Sequence, residues 1–353
     1  MNTPVYVNAR FLARPVTGVE RFALGLLEGL DQQRGGGPVT LLAPAGIDQP
    51  AALGHLGFRT VGRLRGHAWE QIDLPRAAQD GVLVNLCNSG PVAHRRSLVV
   101  VHDAWVFRHP DHFSRGYRLF HQRLDRLLAR RARIATVSEF SRRELSEVLG
   151  LDPARVPVIP NAADHVARIT PDTAIVERLK LGGKRFLLLV GSFAPNKNLP
   201  AAIRAFERVA RDDERLVIVG GAVASFANDA LRGHSDRIVL AGRVGDAELV
   251  ALYRAMHALV FPSLYEGFGI PPLEAMRLGR PVLASSIAPV EEVCGDAALY
   301  FDPKSDDAIA AAMRRVLDDP ALHDQLTAAA ATRVAKFSWS QSASLLQRSI
   351  DGL

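Results

Sequence analysis

Cysteine is scarce in this 353-residue chain: Cys87 and Cys294 stand far apart, with neither a metal-ligand spacing nor a pairing pattern. That excludes a disulfide framework and a cysteine-based metal module, and both thiols are expected to be reduced and in the core. Long apolar runs are missing as well. Stretches such as Leu98–Val101 and Phe186–Val190 fall well below the ~18 residues that a membrane-spanning helix needs. The amino-terminal MNTPVYVNARFLARPVTG has no basic leader followed by an apolar core and a small-residue cleavage site, so the expected location is cytoplasmic. Three short signatures are absent too: Gly-x-Gly-x-x-Gly after a strand, Gly-x-x-x-x-Gly-Lys-Ser/Thr, and Asp-x-Asp. Without the first two, the common dinucleotide and P-loop readings fall away. Without the third, the simplest carboxylate pair for holding Mg²⁺ on a diphosphate is gone, and neither metal nor cofactor is expected. No internal repeat or low-complexity tract is present.

What remains is a chain of ordinary globular composition, 48% hydrophobic and 23% charged, long enough for two domains. Its net charge of +6 is unevenly spread. Residues 1–180 hold 24 Lys and Arg against 17 Asp and Glu, whereas residues 181–353 hold 19 against 20. A nucleic acid, an anionic membrane face or a phosphorylated ligand would each suit a basic first half, because a charge field selects the sign of a partner and not its identity.

Short aliphatic segments alternate with amphipathic ones, which predicts an α/β architecture with parallel sheets. The first half suggests strands at Pro4–Asn8, Val39–Ala43, Val82–Leu86, Leu98–Val101, Ile134–Val137 and Val156–Ile159, with helices at Val19–Leu30, Arg115–Arg131 and Ser141–Leu149. The second half suggests strands at Arg185–Val190, Arg215–Val219, Ile238–Leu240, Ala258–Phe261 and Val282–Ala284. Ala162–Gly183 is polar and without a strand period, so it is expected to be the hinge. The domains are then 1–168 and 169–336, with a last helix in 337–353 that packs back towards the first domain.

The densest chemical signal is VFPSLYEGFGIPPLEAMRLG, Val260–Gly279. A strand ends at Phe261, a loop carries Glu266, Gly267, Phe268 and Gly269, and Ile270 with Pro271 and Pro272 opens a helix that contains Glu274. The amino end of that helix favours an anion. Glu266 and Glu274, on either side, are acceptors suited to the hydroxyl groups flanking a diphosphate. The alternative is a solvated loop carboxylate and a helix-dipole partner.

On these residues the chain resembles the retaining glycosyltransferases of family 4. Glu266 and Glu274 match that family's Glu-x7-Glu motif, and GRPVLASSIAPVEEVCGDAALYFDP belongs to the same similarity, which is strong over residues 182–303. It extends more weakly through TGVERFALGLLEGL, VVHDAWVFRHPDHFS, ATVSEFSRREL and VIPNAAD. The resemblance implies the GT-B fold, two Rossmann-like domains facing across a cleft, the second binding a nucleotide diphosphate sugar and the first a glycan or lipid-linked glycan acceptor. It makes Lys197, in VGSFAPNKNLP, the diphosphate-binding lysine; the chain departs from the pattern at Ser192 and Asn196, where many members carry arginine. Gly18, before the first helix, matches the glycine loop, with a plain helix cap as the alternative. His102 matches the histidine that faces the transferred sugar, with a structural histidine as the alternative. The implied set is thus His102, Lys197 and Glu266 for catalysis, with Gly18, Ser192, Asn196, Gly267, Phe268, Gly269, Ile270 and Glu274 binding the donor. Retention is expected through a front-face mechanism, and GDP-mannose and cell-surface polysaccharide assembly are the preferred specifics. A nucleotide-sugar 2-epimerase of the same architecture and a non-catalytic scaffold for a partner transferase are the rivals.

Residues 115–143 hold nine arginines against Asp125 and Glu139. Phe120, Leu124, Leu127 and Leu128 form one apolar stripe. Arg115, Arg118, Arg123 and Arg126 around it suit either a solvated face or contact with an acceptor or an anionic membrane, placing the protein peripherally on the inner membrane face. No stacking aromatic series or groove-reading motif accompanies them, so nucleic acid is not an expected partner.

Overall fold

The computed structural model describes residues 3–34, 39–221 and 235–353. The chain forms two compact units, Met1–Ala162 with Phe337–Leu353, and Ala163–Lys336. In the first, β1 (Val5–Asn8), β2 (Val39–Ala43), β3 (Gly57–Thr60), β4 (Val82–Asn85), β5 (Ser97–Val100) and β6 (Arg133–Ala135) make a sheet of order β3-β2-β1-β4-β5-β6. The second contains β7 (Arg185–Val190), β8 (Glu214–Val219), β9 (Ile238–Gly242), β10 (Ala258–Phe261), β11 (Val282–Ser285) and β12 (Ala298–Phe301), ordered β12-β11-β10-β7-β8-β9. Every neighbouring pair in both sheets is parallel.

The central strands are near-continuous apolar runs because helices cover both faces of a parallel sheet. Thus VYVN of β1 and ALVF of β10 are buried throughout. In the second unit Leu187, Leu189, Leu216, Ile218 and Val260 meet Ile203, Phe206 and Met313 of the covering helices. In the first, Val99, Val101 and Ile134 meet Leu124, Leu128 and Leu145.

The strand expected at Val156–Ile159 reduces to a single bridge between Thr136 and Val158. Pro157 and Pro160 deprive that segment of ladder donors. Conversely, the outermost strands β3 and β12 were not legible in the sequence; GFRT of β3 is largely exposed and shows no apolar run. The expected boundary at 168/169 also shifts. Asp164–Arg168 is a helix within the second unit, and buried His165 bonds Glu274 there.

The last helix, Trp339–Asp351, starts from Ser338, whose hydroxyl accepts from Gln341 N, and belongs to the first unit. Trp339 is buried against Gly18–Arg34, where Gly25 and Gly29 lack the side chains that would exclude it. A Cβ on Gly25 would lie 2.2 Å from Trp339 Cε2. Gly25→Ala should therefore forgo the ~1 kcal/mol helix gain usual for such a change. Instead it should lower stability by about 1–3 kcal/mol through overpacking, measured by urea denaturation; an unchanged or higher midpoint would mean that the indole has room to move.

Candidate active site

Both sheets reverse their strand order at one point, between β1 and β4 and between β7 and β10. Loops leaving the carboxyl ends of the strands diverge there and open a crevice. In the second unit the loops after β7 and β10 carry Lys197 and Glu266. The lysine Nζ lies 2.6 Å from Glu266 Oε1 and 5.6 Å from the centre of the Phe261 ring. Both side chains are largely covered, at 21% and 12% exposure. A cation and an anion thus converge in a partly dry place and match one another's charge.

The two loops are tied together by Asn196. Its Nδ2 donates to Tyr265 O at 3.0 Å, and its own carbonyl accepts from Leu264 N at 2.7 Å. Asn196, expected among the donor-binding residues, is buried next to the lysine; its amide nitrogen is used between the loops, while its Oδ1 has no hydrogen-bond partner among the described residues. Asn198 braces the same turn in a left-handed conformation, φ 54°, donating to Pro262 O and Pro303 O. Ser192 is exposed on the loop.

Beyond Glu266, Tyr265 and Phe268 are buried and anchor Gly267 between them. Gly269, at φ 115°, turns the chain into the helix Ile270–Arg277, a conformation that suits glycine. Pro271 and Pro272 remove two of the first-turn N–H groups. The anion-favouring end of this helix therefore offers Ile270 N–H and the macrodipole, rather than a full set of donors.

Glu274 is buried at 6% exposure. Its Oε2 accepts from Tyr253 Oη at 2.9 Å, and its Oε1 lies 3.1 Å from His165 Nε2. Burial, followed by the Glu274 charge and its hydrogen bond, holds the Tyr253 phenol well above its usual range, so it stays a donor. Each carboxylate oxygen retains capacity for a further donor. Neither His165 nor Tyr253 was identified from the sequence, since nothing in their local pattern signals the partnership.

In the first unit, His102 follows β5 and is 7% exposed. Its Nε2 lies 2.9 Å from Leu86 O; a carbonyl only accepts, so the proton sits on Nε2. Phe22 packs edge-on against the ring, and Asn88 Oδ1 receives the His102 backbone N–H. Burial depresses the imidazole to about 4. His102 is therefore a neutral, oriented group.

Gly18 opens the first helix, but Glu20 folds back onto Thr17 N and its hydroxyl. This Thr-x-x-Glu capping arrangement fills the helix end with a carboxylate, an arrangement hospitable to hydroxyl groups and not to phosphate. The crevice beside it is lined by Asn8, Arg10, Phe11, Arg14, Glu70, Leu86, Cys87 and Ser89. Cys87, expected in the core, is only half-buried, whereas Cys294 is buried. Buried Glu70 accepts from Asn8, Ser89 and Arg10 and pairs with His67. These partners overcome the burial penalty and hold its carboxyl below the usual range.

The arginine-rich helix Arg115–Arg131 also differs from expectation. Leu124 and Leu128 are buried, but Phe120 and Leu127 are each 44% exposed, and so are Tyr117 and Leu119 at 49% and 50%. The one stripe is split, because only its inner side meets the sheet. Arg115, Arg123 and Arg126 are exposed and Arg118 is half-buried. Asp125 is buried and pushed up to about 7, chiefly by burial and then by Asp103.

A neutral buried His102 makes stability depend on pH with a definite sign. The unfolded chain gains a proton near pH 6.5 that the folded one resists until about 4, so this contribution is present above pH 6.5 and lost as pH falls to 4. Asp125 acts in the opposite sense over an overlapping range, so the comparison is by difference. The stability advantage of the parent over His102→Asn should shrink by about 3 kcal/mol between pH 7 and pH 4 in chemical denaturation. A pH-independent gap would mean that His102 takes up its proton as readily in the folded chain as in the unfolded one.

Comparison with known proteins places this geometry in context. Residues 172–333 match the family described as glycosyl transferases group 1, and residues 16–166 match glycosyltransferase family 4. The chain is 30% identical over 255 residues to O-antigen chain mannosyltransferase B of Escherichia coli, covering 69% of this chain and 67% of that protein. It is 33% identical over 217 residues to the serotype-specific mannosyltransferase WbdA of Escherichia coli, covering 59% of this chain but only 25% of that longer protein. Among solved structures, Anabaena Alr3699/HepE in complex with UDP and glucose superposes with a TM-score of 0.79 at 16% identity over the full length of both chains.

Proposed function

Because the chain belongs to the family 4 glycosyltransferases and has the GT-B fold, we propose that this glycosyltransferase moves a mannosyl group from GDP-mannose to a hydroxyl of a glycan or lipid-linked glycan. We place the reaction in assembly of a bacterial cell-surface polysaccharide, with the donor's anomeric configuration retained. The names of the mannosyltransferase relatives support the sugar and the setting. The observation that carries the donor site is the Lys197–Glu266 pair at 2.6 Å.

A nucleotide diphosphate entering this crevice would exchange partners with the pair. Lys197 would turn its charge to the distal phosphate as a point cation, beside the positive end of the Ile270–Arg277 helix. Glu266, released, would accept hydroxyl groups of the sugar. Glu274 would accept from the ribose while His165 and Tyr253 keep it oriented. As the bond from the anomeric carbon to the phosphate oxygen breaks, charge grows on the diphosphate, and Lys197 stabilises it most at that moment. The acceptor oxygen bonds to the same face of the sugar and passes its proton to the departing phosphate. No carboxylate is required as a base on the opposite face.

The test is incubation of the full chain with GDP-mannose and a mannoside acceptor in excess EDTA. Transfer should persist, with the product's anomeric couplings in NMR matching those of the donor. Lys197→Ala should lower turnover more than it weakens GDP-mannose binding, by a few kcal/mol of barrier. Activity lost in EDTA and restored by Mg²⁺ would overturn the metal-free assignment, and an inverted product would overturn same-face attack.

The acceptor side of the proposal includes a lipid surface. Among the described residues no helix is long and apolar enough to cross a membrane. The Arg115–Arg131 helix does expose Leu119 and Leu127 among Arg115, Arg123 and Arg126, a composition suited to lying on an anionic bilayer on its inner face. Sedimentation with phosphatidylglycerol-containing vesicles should show binding that weakens with salt. Arg123→Glu combined with Arg126→Glu should reduce that binding roughly tenfold or more, at about 1 kcal/mol per charge near the surface. Binding indifferent to salt and to both changes would leave this face simply solvated.

A further inference from the structure

The opposite flank of the same helix carries something different. Tyr117, His121, Leu124 and Leu128 fall on one side at helical spacing. Leu124 and Leu128 are buried in the core, and Tyr117 and His121 continue that stripe out to the surface. There the rings connect to others. Tyr117 stacks on Phe113 with centroids 5.3 Å apart and planes 5° from parallel, Phe113 meets Trp105 edge-on at 4.8 Å, and Tyr117 lies 4.1 Å from His121. His121 is 6.3 Å from His67, whose Nδ1 reaches Glu70 at 3.2 Å. The line of rings therefore ends at the crevice of Arg10 and Glu70, at the carboxyl ends of β1 and β4.

Resting on the glycan-acceptor reading above, we propose that Trp105, Phe113, Tyr117 and His121 form an extended subsite for successive sugar rings of the acceptor, leading to the Arg10–Glu70 crevice. Sugars present apolar C–H faces that pack on aromatic planes and hydroxyl rims that require hydrogen-bonding edges. This track supplies both, and its edges are uncharged. Burial, then Asp103 and Asp125, hold the Tyr117 phenol above its usual range, so it remains a hydroxyl donor. Burial, then the charges of His67, Arg10 and Arg14, push the His121 imidazole down, so it is neutral. The nearby cations are already matched, Arg10 by Glu70 at 3.2 Å and Arg14 by Glu20 at 4.0 Å. Such a surface favours a neutral polyol over a phosphate or an anionic lipid headgroup, which the arginines of the opposite face suit better. The crevice itself has a volume of about 10 Å³, room for one water-sized group such as a single hydroxyl.

The test is donor-free binding of α-linked manno-oligosaccharides of one, two, four and six units to the full chain, followed by calorimetry. Intrinsic fluorescence gives a second readout, because Trp69 and Trp339 are buried while Trp105 is half-buried. Affinity should rise with length up to four units, with a change in tryptophan emission. Tyr117→Ala, at a half-exposed position, should weaken tetrasaccharide binding roughly tenfold, whereas Tyr117→Phe should keep most of it. The urea-denaturation midpoint and the near-ultraviolet circular dichroism of both variants, measured alongside, should stay at the parent values and so report an intact fold. Equal affinity for one and four units, or no effect of Tyr117→Ala, would overturn the subsite. Loss of vesicle binding in Tyr117→Ala with oligosaccharide binding intact would also overturn it, assigning the rings to lipid. Because no donor is present, length-dependent binding in a chain that transfers nothing would sustain the subsite while refuting the transferase reading; transfer with equal acceptor KM at every length would do the reverse.

Discussion

A parallel sheet must bury both faces, and a chain that winds first to one side and then to the other can do so only by reversing its strand order once. That constraint organises each unit of this protein. At the reversal, the loops after β1 and β4, or after β7 and β10, cannot cover one another, so each sheet has one place where backbone ends and polar side chains face outward together. The residues with chemical potential gather there: Lys197 and Glu266 in one unit, Arg10, Glu70 and Ser89 in the other. The apolar strands behind them supply rigidity, and the Asn196 and Asn198 braces between the loops help to hold an ion pair at 2.6 Å.

The second organising feature is that charged groups in these crevices are matched before any ligand arrives. Lys197 has Glu266, Glu274 has Tyr253 and His165, Arg10 has Glu70, and Glu20 has Thr17. An unpaired charge in such covered positions would cost several kcal/mol, so pairing keeps these charges from destabilising the fold. It also means that a ligand must offer equivalent partners. A diphosphate can take over the lysine and a sugar hydroxyl can take over the carboxylate, and a ligand with only one of these leaves the other group stranded. Under the proposed function, selectivity for a molecule with both parts would follow from this pairing.

The Arg115–Arg131 helix divides its surface by the same economy of contacts. Its inner side meets the sheet at Leu124 and Leu128, its outer side exposes arginines with leucines between them, and its amino-terminal flank carries aromatic rings. Seventeen residues thus present three chemically distinct faces. A helix can do this because residues three and four apart share a face while adjacent ones do not.

The sequence by itself determined the parts of this protein whose physics is local. Alternating apolar runs and amphipathic stretches specified two α/β units, because strands buried on both sides must be apolar whatever their partners. The Glu-x7-Glu spacing with Gly269, Pro271 and Pro272 was legible because loop, turn and helix start are all encoded within a few residues, whereas Lys197 stood out only through the resemblance to family 4. The largely exposed edge strand β3 was not legible, since without two covered faces it needs no apolar run. Only the tertiary structure decided which side chains meet. His165 and Tyr253 reach Glu274 from 109 and 21 residues away, Glu70 reaches Asn8 from 62, and Asn196 links two loops because Tyr265 lies beside it. Likewise the split of the arginine helix depended on how much of its circumference the sheet covers. Hydrogen bonds and burial are properties of neighbours in space, and winding a sheet makes neighbours of residues that the chain keeps far apart.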